Sequence, residues 1–430
     1  MFIHELKASG LLSFGPRGID LPMQPLNVLI GPNGAGKSNL LELLNLLRHA
    51  PSELAQPMNK DGVGEWLWKG DASANEATLE VTVGNPADAS LVHHCLAFTN
   101  RRGRPWITRE SVKHLAEEPT STNTAASYEL SGEDHVFHRS SAAAITEPAA
   151  QLPTSDTGKR LGDRRGRDSG QTPDVNVAES VSISDSFSIT ARQPRSSPER
   201  SVLHDVRNPR QHPELYCLQE HYPRVQLYRD WAFGPSASMR WNQSTHARAD
   251  FLSEDGSNLV PLLTNFRGEE RRLFVDALKE LFDGIVDIAL PVSSGAVSLF
   301  LEERGGKQIP ASRLSDGTLR YLCLLSVLLH PTPPPLIAIE EPELGLHPDA
   351  IARVAELLVE ATERTQIIIT THSRMLVDAL SEHPSSIVVC EQQHGESTFE
   401  RLDDERLAAW LKDYSLGELW RSGELGGNRW

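Results

Sequence analysis

Residues 31–38 read Gly31-Pro32-Asn33-Gly34-Ala35-Gly36-Lys37-Ser38, the spacing G-x-x-x-x-G-K-[ST]. Glycines at these places let a backbone wrap closely around an anion, so that successive N–H groups face phosphate oxygens. The lysine ammonium then reaches the β- and γ-phosphates of a nucleotide, and the serine hydroxyl is a ligand for Mg²⁺. The apolar run LNVLI precedes the loop and the apolar-periodic NLLELLNLLRHA follows it. That context is strand, loop, helix, and the helix N-terminus adds the positive end of its dipole. Nucleotide binding is the firmest expectation of the sequence.

A second stretch, LIAIEEPELGLHP at 336–348, runs apolar and then ends in Glu340, Glu341 and Glu343. A buried strand that finishes on adjacent carboxylates needs a cation or a water for them to face. In an α/β sheet the carboxyl ends of the strands are the ligand-binding edge. Glu340 is therefore expected to hold Mg²⁺ beside Ser38, and Glu341 to polarise the water that attacks the γ-phosphate. Solvated glutamates on a surface turn would be the bland alternative.

Two more pieces have the same placement. QIIITTHS, 366–373, is a strand that ends at His372, where a γ-phosphate sensor would sit. In RLSDGTLRY, Ser315 stands as the N-cap of a helix with Gly317 behind it, leaving N–H groups for an anion. Taken alone, the histidine reads as structural and the serine as a good cap.

These residues need a scaffold, and the pattern supplies one. After Pro310 the chain alternates helix (TLRYLCLLSVLLH), strand (PLIAIE), helix (DAIARVAELLVEAT), strand (TQIIITT), helix (RMLVDAL) and strand (SSIVVCE). Such alternation predicts a parallel sheet wrapped by helices. Upstream, FIHELKAS, TLEVTV and LVHHCLAF read as strands, and EERRLFVDALKELFD as an amphipathic helix. From 116 to about 201 the composition turns to Ser, Thr, Pro, Gly, Asp and Arg. SYELSGEDHVFH suggests a hairpin there and VSISDSFSIT a strand, while 147–174 reads as a disordered surface insertion. Its basic cluster RLGDRRGR is a solvated charge run more readily than a phosphate contact. Order is expected to return near Pro223, with RVQLY.

In their order along the chain (phosphate loop, LSDGT, IEEPE, TTHS), these motifs resemble the ABC-type ATPases of the RecF, SMC and OLD-like group. Within that group the sequence is most similar to the bacterial AAA-family ATPases with short lids. The resemblance covers about 1–100 and 205–430. It implies an α/β P-loop NTPase with an ABC-type head: a central sheet containing parallel strands, flanked by helices, with an antiparallel N-terminal β subdomain and a short lid or insertion. The divisions would be 1–115 and 311–430 as the two parts of the head, 116–204 as the polar insertion, and 205–310 as lid and connecting elements. The resemblance further implies ATP and Mg²⁺ as ligands and a homodimer with ATP sandwiched between two heads, in which Ser315 and Gly317 of one protomer complete the site of the other. The metal Asp usual in the group is Glu340 here, and Asp316 and Thr318 stand where transporters carry Gly and Gln. A Q-loop glutamine is not evident, Gln226 being the one weak match. EDGSNLVPLLTNF and the tail from Asp413 onward are also similar to this group, with no chemistry attached.

The rest of the chain narrows the kind. No heptad array separates Lys37 from Ser315, as long-armed SMC proteins would require. A TOPRIM nuclease is not expected, the stretch after His372 being short and Asp403 with Asp404 too little for one. The expected role is an ATP-dependent switch or motor in DNA repair and recombination or in anti-phage defence, working with a partner effector such as a nuclease encoded nearby. The alternative is the ATP-binding subunit of a membrane transporter. With 58 acidic and 42 basic side chains, a net charge of −16, the chain has no global attraction for nucleic acid. DNA contact would fall to local patches such as 101–104 or 267–272, which also read as solvated faces. The 4 cysteines have no pairing rhythm and read as reduced, buried thiols. No run is long enough to span a bilayer, and the N-terminus has no signal-peptide pattern, so a cytoplasmic protein is expected.

Overall fold

A computed structural model describes residues 1–70, 75–85, 90–115, 127–131, 134–140, 180–184, 188–194, 197–205, 208, 211–247 and 249–427. The stretch 147–174 and its cluster RLGDRRGR lie outside the described residues.

Two large sheets organise the chain. The first is antiparallel, built from β1 (Ile3–Ser9), β2 (Ile19–Pro22), β4 (Ala77–Gly84), β5 (Leu91–Arg101), β6 (Arg104–Leu115), β7 (Ser127–Ser131), β8 (Asp134–Ser140), β9 (Ser180–Ser184) and β10 (Ser188–Pro194), in the order β2-β1-β4-β5-β6-β7-β8-β10-β9. The second contains β3 (Leu26–Ile30), β11 (Gln226–Tyr228), β18 (Leu336–Glu340), β19 (Gln366–Thr371), β20 (Ile387–Gln393) and β21 (Glu396–Arg401), in the order β11-β18-β19-β3-β20-β21. All its pairings are parallel except that of β20 with β21.

The parallel strands are apolar without alternation because both faces of this sheet are covered. Side chains still alternate in direction. Val28, Ile30, Ile337, Ile339, Ile367 and Ile369 enter one core with the helices Asp316–Leu328 and Pro348–Ala361. Leu29, Leu336, Ala338, Ile368 and Val388 enter the other, with the helix Lys37–His49 and the antiparallel sheet. Gln366 joins the two sheets. Its amide oxygen accepts from the Ile3 N–H at 2.7 Å and its amide nitrogen donates to the Ile3 carbonyl at 2.7 Å, as a neighbouring strand would.

The polar segment carries more strand than its composition suggests. VSISDSFSIT is a pair of strands, β9 and β10, joined antiparallel with Ser188 opposite Ser184. With the β7–β8 hairpin they extend the first sheet. Order also returns earlier than Pro223. Ser201, Val202 and Leu203 are buried, and helices follow at Val202–Asp205 and Pro213–His221. A buried polar cluster anchors the return. Glu110 on β6 accepts from Ser201 Oγ at 2.5 Å and from the Val202 N–H at 2.9 Å. His94 lies between Glu110, at 3.4 Å, and the Tyr222 hydroxyl, at 3.0 Å. A carboxylate buried to 1 % exposure is tolerated because these donors satisfy it.

Between the sheets' elements lie two small three-stranded sheets. One joins β12 (Gln243–Ser244), β14 (Val292–Ser293) and β15 (Ala296–Val297), the other β13 (Ile285–Ala289), β16 (Phe300–Glu303) and β17 (Gln308–Pro310). The helix Gly268–Leu281 packs against β13 of the second.

Candidate nucleotide site

The carboxyl ends of β3, β18 and β19 finish side by side, with Glu340 opposite Thr370 and Thr371 opposite Ile30. This register gathers the residues that the sequence scatters. The loop after β3 turns through Gly31, Pro32, Asn33, Gly34 and Ala35 into the helix that starts at Lys37. Gly36 is left-handed, φ 95°, and a Cβ there would meet the hydroxyls of Ser397 and Ser13, so only glycine fits. Lys37 is buried, its Nζ donating to the carbonyls of Gly31 at 2.7 Å and Pro32 at 3.0 Å. Burial lowers its pKa, partly offset by Glu341 and Glu340.

Ser38 Oγ donates to Glu340 Oε1 at 2.5 Å across a sequence separation of 302. The other oxygen of Glu340 accepts from Arg229 Nε at 3.2 Å, and Arg229 Nη1 donates to Glu42 at 2.6 Å. Burial alone would lower the pKa of this guanidinium; the two carboxylates raise it. Glu341 lies next, its Oε1 3.8 Å from His372 Nε2. Burial and then the Lys37 ammonium lower the His372 pKa, against the pull of Glu341. Glu343 Oε1 accepts from Thr371 Oγ1 at 2.5 Å and from the His372 N–H at 3.2 Å. Its Oε2 is buried with no hydrogen-bond partner among the described residues, and burial raises its pKa.

The residues fit a nucleotide with Mg²⁺. A hydroxyl and a carboxylate share one point, a cationic guanidinium already faces that carboxylate, and a buried ammonium stands in the adjoining loop. Oxygen donors of this kind suit a hard divalent ion completed by phosphate oxygens.

Ser315 and Gly317 stand apart from these residues. Ser315 caps the helix Asp316–Leu328, accepting from the Thr318 N–H at 3.0 Å. Together with Thr318, Gly345, His347 and Phe282 they line a separate open cavity of about 600 Å³. A Cβ on Gly317 would collide with the Gly345 carbonyl oxygen, so the cap sits directly on the loop that follows β18.

A family model described as "AAA domain, putative AbiEii toxin, Type IV TA system" matches residues 26–89 and 180–378, more than half of the chain. The chain belongs to that family. Two solved structures are similar to this AAA-family chain over nearly its whole length. One is the SMC head bound to the C-terminal winged-helix domain of ScpA, at 15 % identity, covering 94 % of this chain and 99 % of that one, TM-score 0.55. The other is the Pyrococcus furiosus SMC head with an extended coiled coil bound to the C-terminal domain of ScpA, at 13 % identity, 96 % and 99 % coverage, TM-score 0.51. The fold is that of an SMC-type P-loop ATPase head.

Arg229, which bonds to Glu340, and Arg320, whose Nη1 donates to the Glu341 carbonyl at 2.9 Å, touch the candidate site without having been evident in the sequence. Gln226 begins β11, opposite Ile337, whereas Arg229 follows Tyr228, opposite Ile339, at the end where the site lies. A basic residue just after a strand was the available signal, without meaning until β11 is paired to β18. EDGSNLVPLLTNF acquires a structural role. Glu254 pairs with Arg48 of the phosphate-loop helix and accepts from the Leu227 N–H at 3.1 Å. In the tail, the Gly417 N–H donates to Asp378 at 2.7 Å, fixing the helix Leu416–Ser422 beside the one after His372. The arginine patches are engaged within the chain: Arg101 over the Trp106 ring, Arg104 with Glu199, Arg271 with Asp287. All 4 cysteines are buried thiols outside any disulfide. Among the described residues no helix is long and apolar enough to cross a membrane.

Proposed function

We propose that this AAA-family head binds and hydrolyses ATP with Mg²⁺, dimerises around the nucleotide, and so acts as a switch for a partner effector in DNA repair and recombination or anti-phage defence. The observation that carries the reading is the 2.5 Å approach of Ser38 to Glu340, with Glu341 and His372 adjoining. The N–H groups of 31–36 and the Lys37 ammonium bind the β- and γ-phosphates. Ser38 and Glu340 hold the metal, which when bound neutralises phosphate charge. Glu341 orients the attacking water and draws its proton, and His372, kept neutral near pH 7 by its lowered pKa, donates to or senses the γ-phosphate. Ser315 and Gly317 of a second protomer cap that phosphate from the opposite side, which agrees with their separation from the chain's own loop. Any DNA contact belongs to a local surface or to the partner, given the net charge of −16.

The test is Glu341→Gln, which keeps shape and hydrogen bonding while removing the charge. Turnover should fall on the order of 10²–10⁴-fold with ATP binding intact. On size-exclusion chromatography with ATP and Mg²⁺ the variant should run as a stable dimer, and Glu341→Gln/Ser315→Arg as a monomer. A single variant that binds ATP tightly yet stays monomeric removes the sandwich, and one with normal turnover removes the role of Glu341. The same hydrolysis assay with and without double-stranded DNA reads the nucleic-acid arm.

A further inference from the structure

Glu341 is among the few non-glycine residues with a left-handed backbone, φ 47°. A glutamate persists there only when its surroundings over-determine it, and such strain gathers where geometry matters for function. Its backbone is held on both sides, and its carbonyl also accepts from the Leu344 N–H at 3.1 Å within the turn. The Glu341 N–H donates to the Thr370 carbonyl at 3.0 Å and to Thr370 Oγ1 at 3.3 Å, which fixes it to β19. The Glu341 carbonyl accepts from Arg320 Nη1 at 2.9 Å, and the same nitrogen donates to the Leu344 carbonyl at 2.9 Å.

Arg320 belongs to the helix capped by Ser315. Its guanidinium lies over the rings of Phe233, 5.4 Å from the centroid, and Trp231, 5.8 Å away, so its plane is held by aromatic faces. The close seat of Gly317 on the Gly345 carbonyl gives a second close contact between the same two segments. The start of that helix and residues 341–345 thus form one body.

We propose that Arg320 is a positioning residue: through the carbonyls of 341 and 344 it sets the backbone of Glu341, and with it the aim of the carboxylate at the attacking water. The role rests on the reading of Glu341 given above. It also couples two sites. In a nucleotide sandwich, Ser315 faces the partner's ATP while Glu341 serves the chain's own, so engagement of the cap is felt through Arg320 at the other site. The working part is the guanidinium itself, whose Nη1 donates to both carbonyls while its cationic face rests on the rings.

The experiment measures steady-state hydrolysis and fluorescent-nucleotide binding for wild type, Arg320→Ala, Arg320→Met and Glu341→Gln, each with and without added guanidinium ion at non-denaturing concentration. Arg320→Ala should lower kcat roughly 10- to 100-fold, the scale of a misaimed catalytic group, with KM and nucleotide affinity within about twofold of wild type. Guanidinium should restore part of kcat in Arg320→Ala and none in Glu341→Gln. Should Arg320→Ala fail to fold, Arg320→Met keeps the stem packed and is read the same way. A wild-type kcat, an equal loss of affinity and turnover, or no rescue overturns the proposal. A slow Glu341→Gln beside a normal Arg320→Ala removes only the role of Arg320; a normal Glu341→Gln removes the reading of Glu341 as well.

Discussion

Arg229 makes a sharp prediction because it occupies the cationic position that a metal would share. Its guanidinium holds Glu340 at 3.2 Å and Glu42 at 2.6 Å, and the three side chains are only about a quarter exposed, at 23 % and 27 %. Arg229→Ala removes two charge-assisted hydrogen bonds and leaves two half-buried carboxylates as neighbours. Such bonds are worth about 1.5–3 kcal/mol each when removed, and partial exposure cuts that by about half, giving about 1.5–3 kcal/mol in all. In a chain of 430 residues that corresponds to a Tm lower by roughly 2–3 °C. Adding Mg²⁺ with a non-hydrolysable ATP analogue should shrink the deficit by about half, because the metal then serves Glu340 while Glu42 stays unpaired. Differential scanning fluorimetry of wild type and variant, with and without the ligand, gives all four numbers. If the deficit is the same in both conditions, the arginine does not stand in for a metal, and Glu340 loses its assignment as a ligand.

Two further outcomes follow from the charges in the site. Lys37→Ala should abolish measurable nucleotide binding by calorimetry, because the buried ammonium is the positive charge of the loop; unchanged affinity removes the phosphate-loop assignment. His372 has its pKa lowered below 6.5, so its stabilising neutral form is fully present above that value and is lost as pH falls through the lowered folded value. Hydrolysis and Tm should both decline on the acid side of 6.5, and His372→Gln should flatten that limb in the pH–rate profile; an unchanged limb assigns it to another group.

The phosphate loop and the acids after β18 were legible because they are local: a glycine spacing, an apolar run, an abrupt change to carboxylate. The helix-strand alternation after Pro310 was legible for the same reason. Arg229 and Arg320 were not, because each acts on a segment remote in sequence through a parallel register or a main-chain carbonyl, and composition contains neither. The strands within 180–194 were read as one because serine-rich alternation marks strand character but not the point where it reverses. The early return of order at Ser201 was hidden too, since it depends on Glu110 being placed under it by the β5–β6 pairing.

The position of β3 has a consequence for how the chain is made. Leu26–Ile30 is entirely buried, with β19 on one edge and β20 on the other. Synthesised from the N-terminus, this strand emerges first among those of its sheet and meets its partners last, after Gln366–Thr371 and Ile387–Gln393 have been translated. The growing polypeptide therefore carries an apolar strand with two unpaired edges for most of its synthesis, a hazard for aggregation. The antiparallel sheet has mostly sequence-adjacent pairings, the kind that form fast. It can assemble while the rest is still on the ribosome and cover the apolar face of the helix Lys37–His49. Glu340 and His372 reach the phosphate loop only when the last parallel strands close around β3, so the candidate site is the last part of the head to be completed.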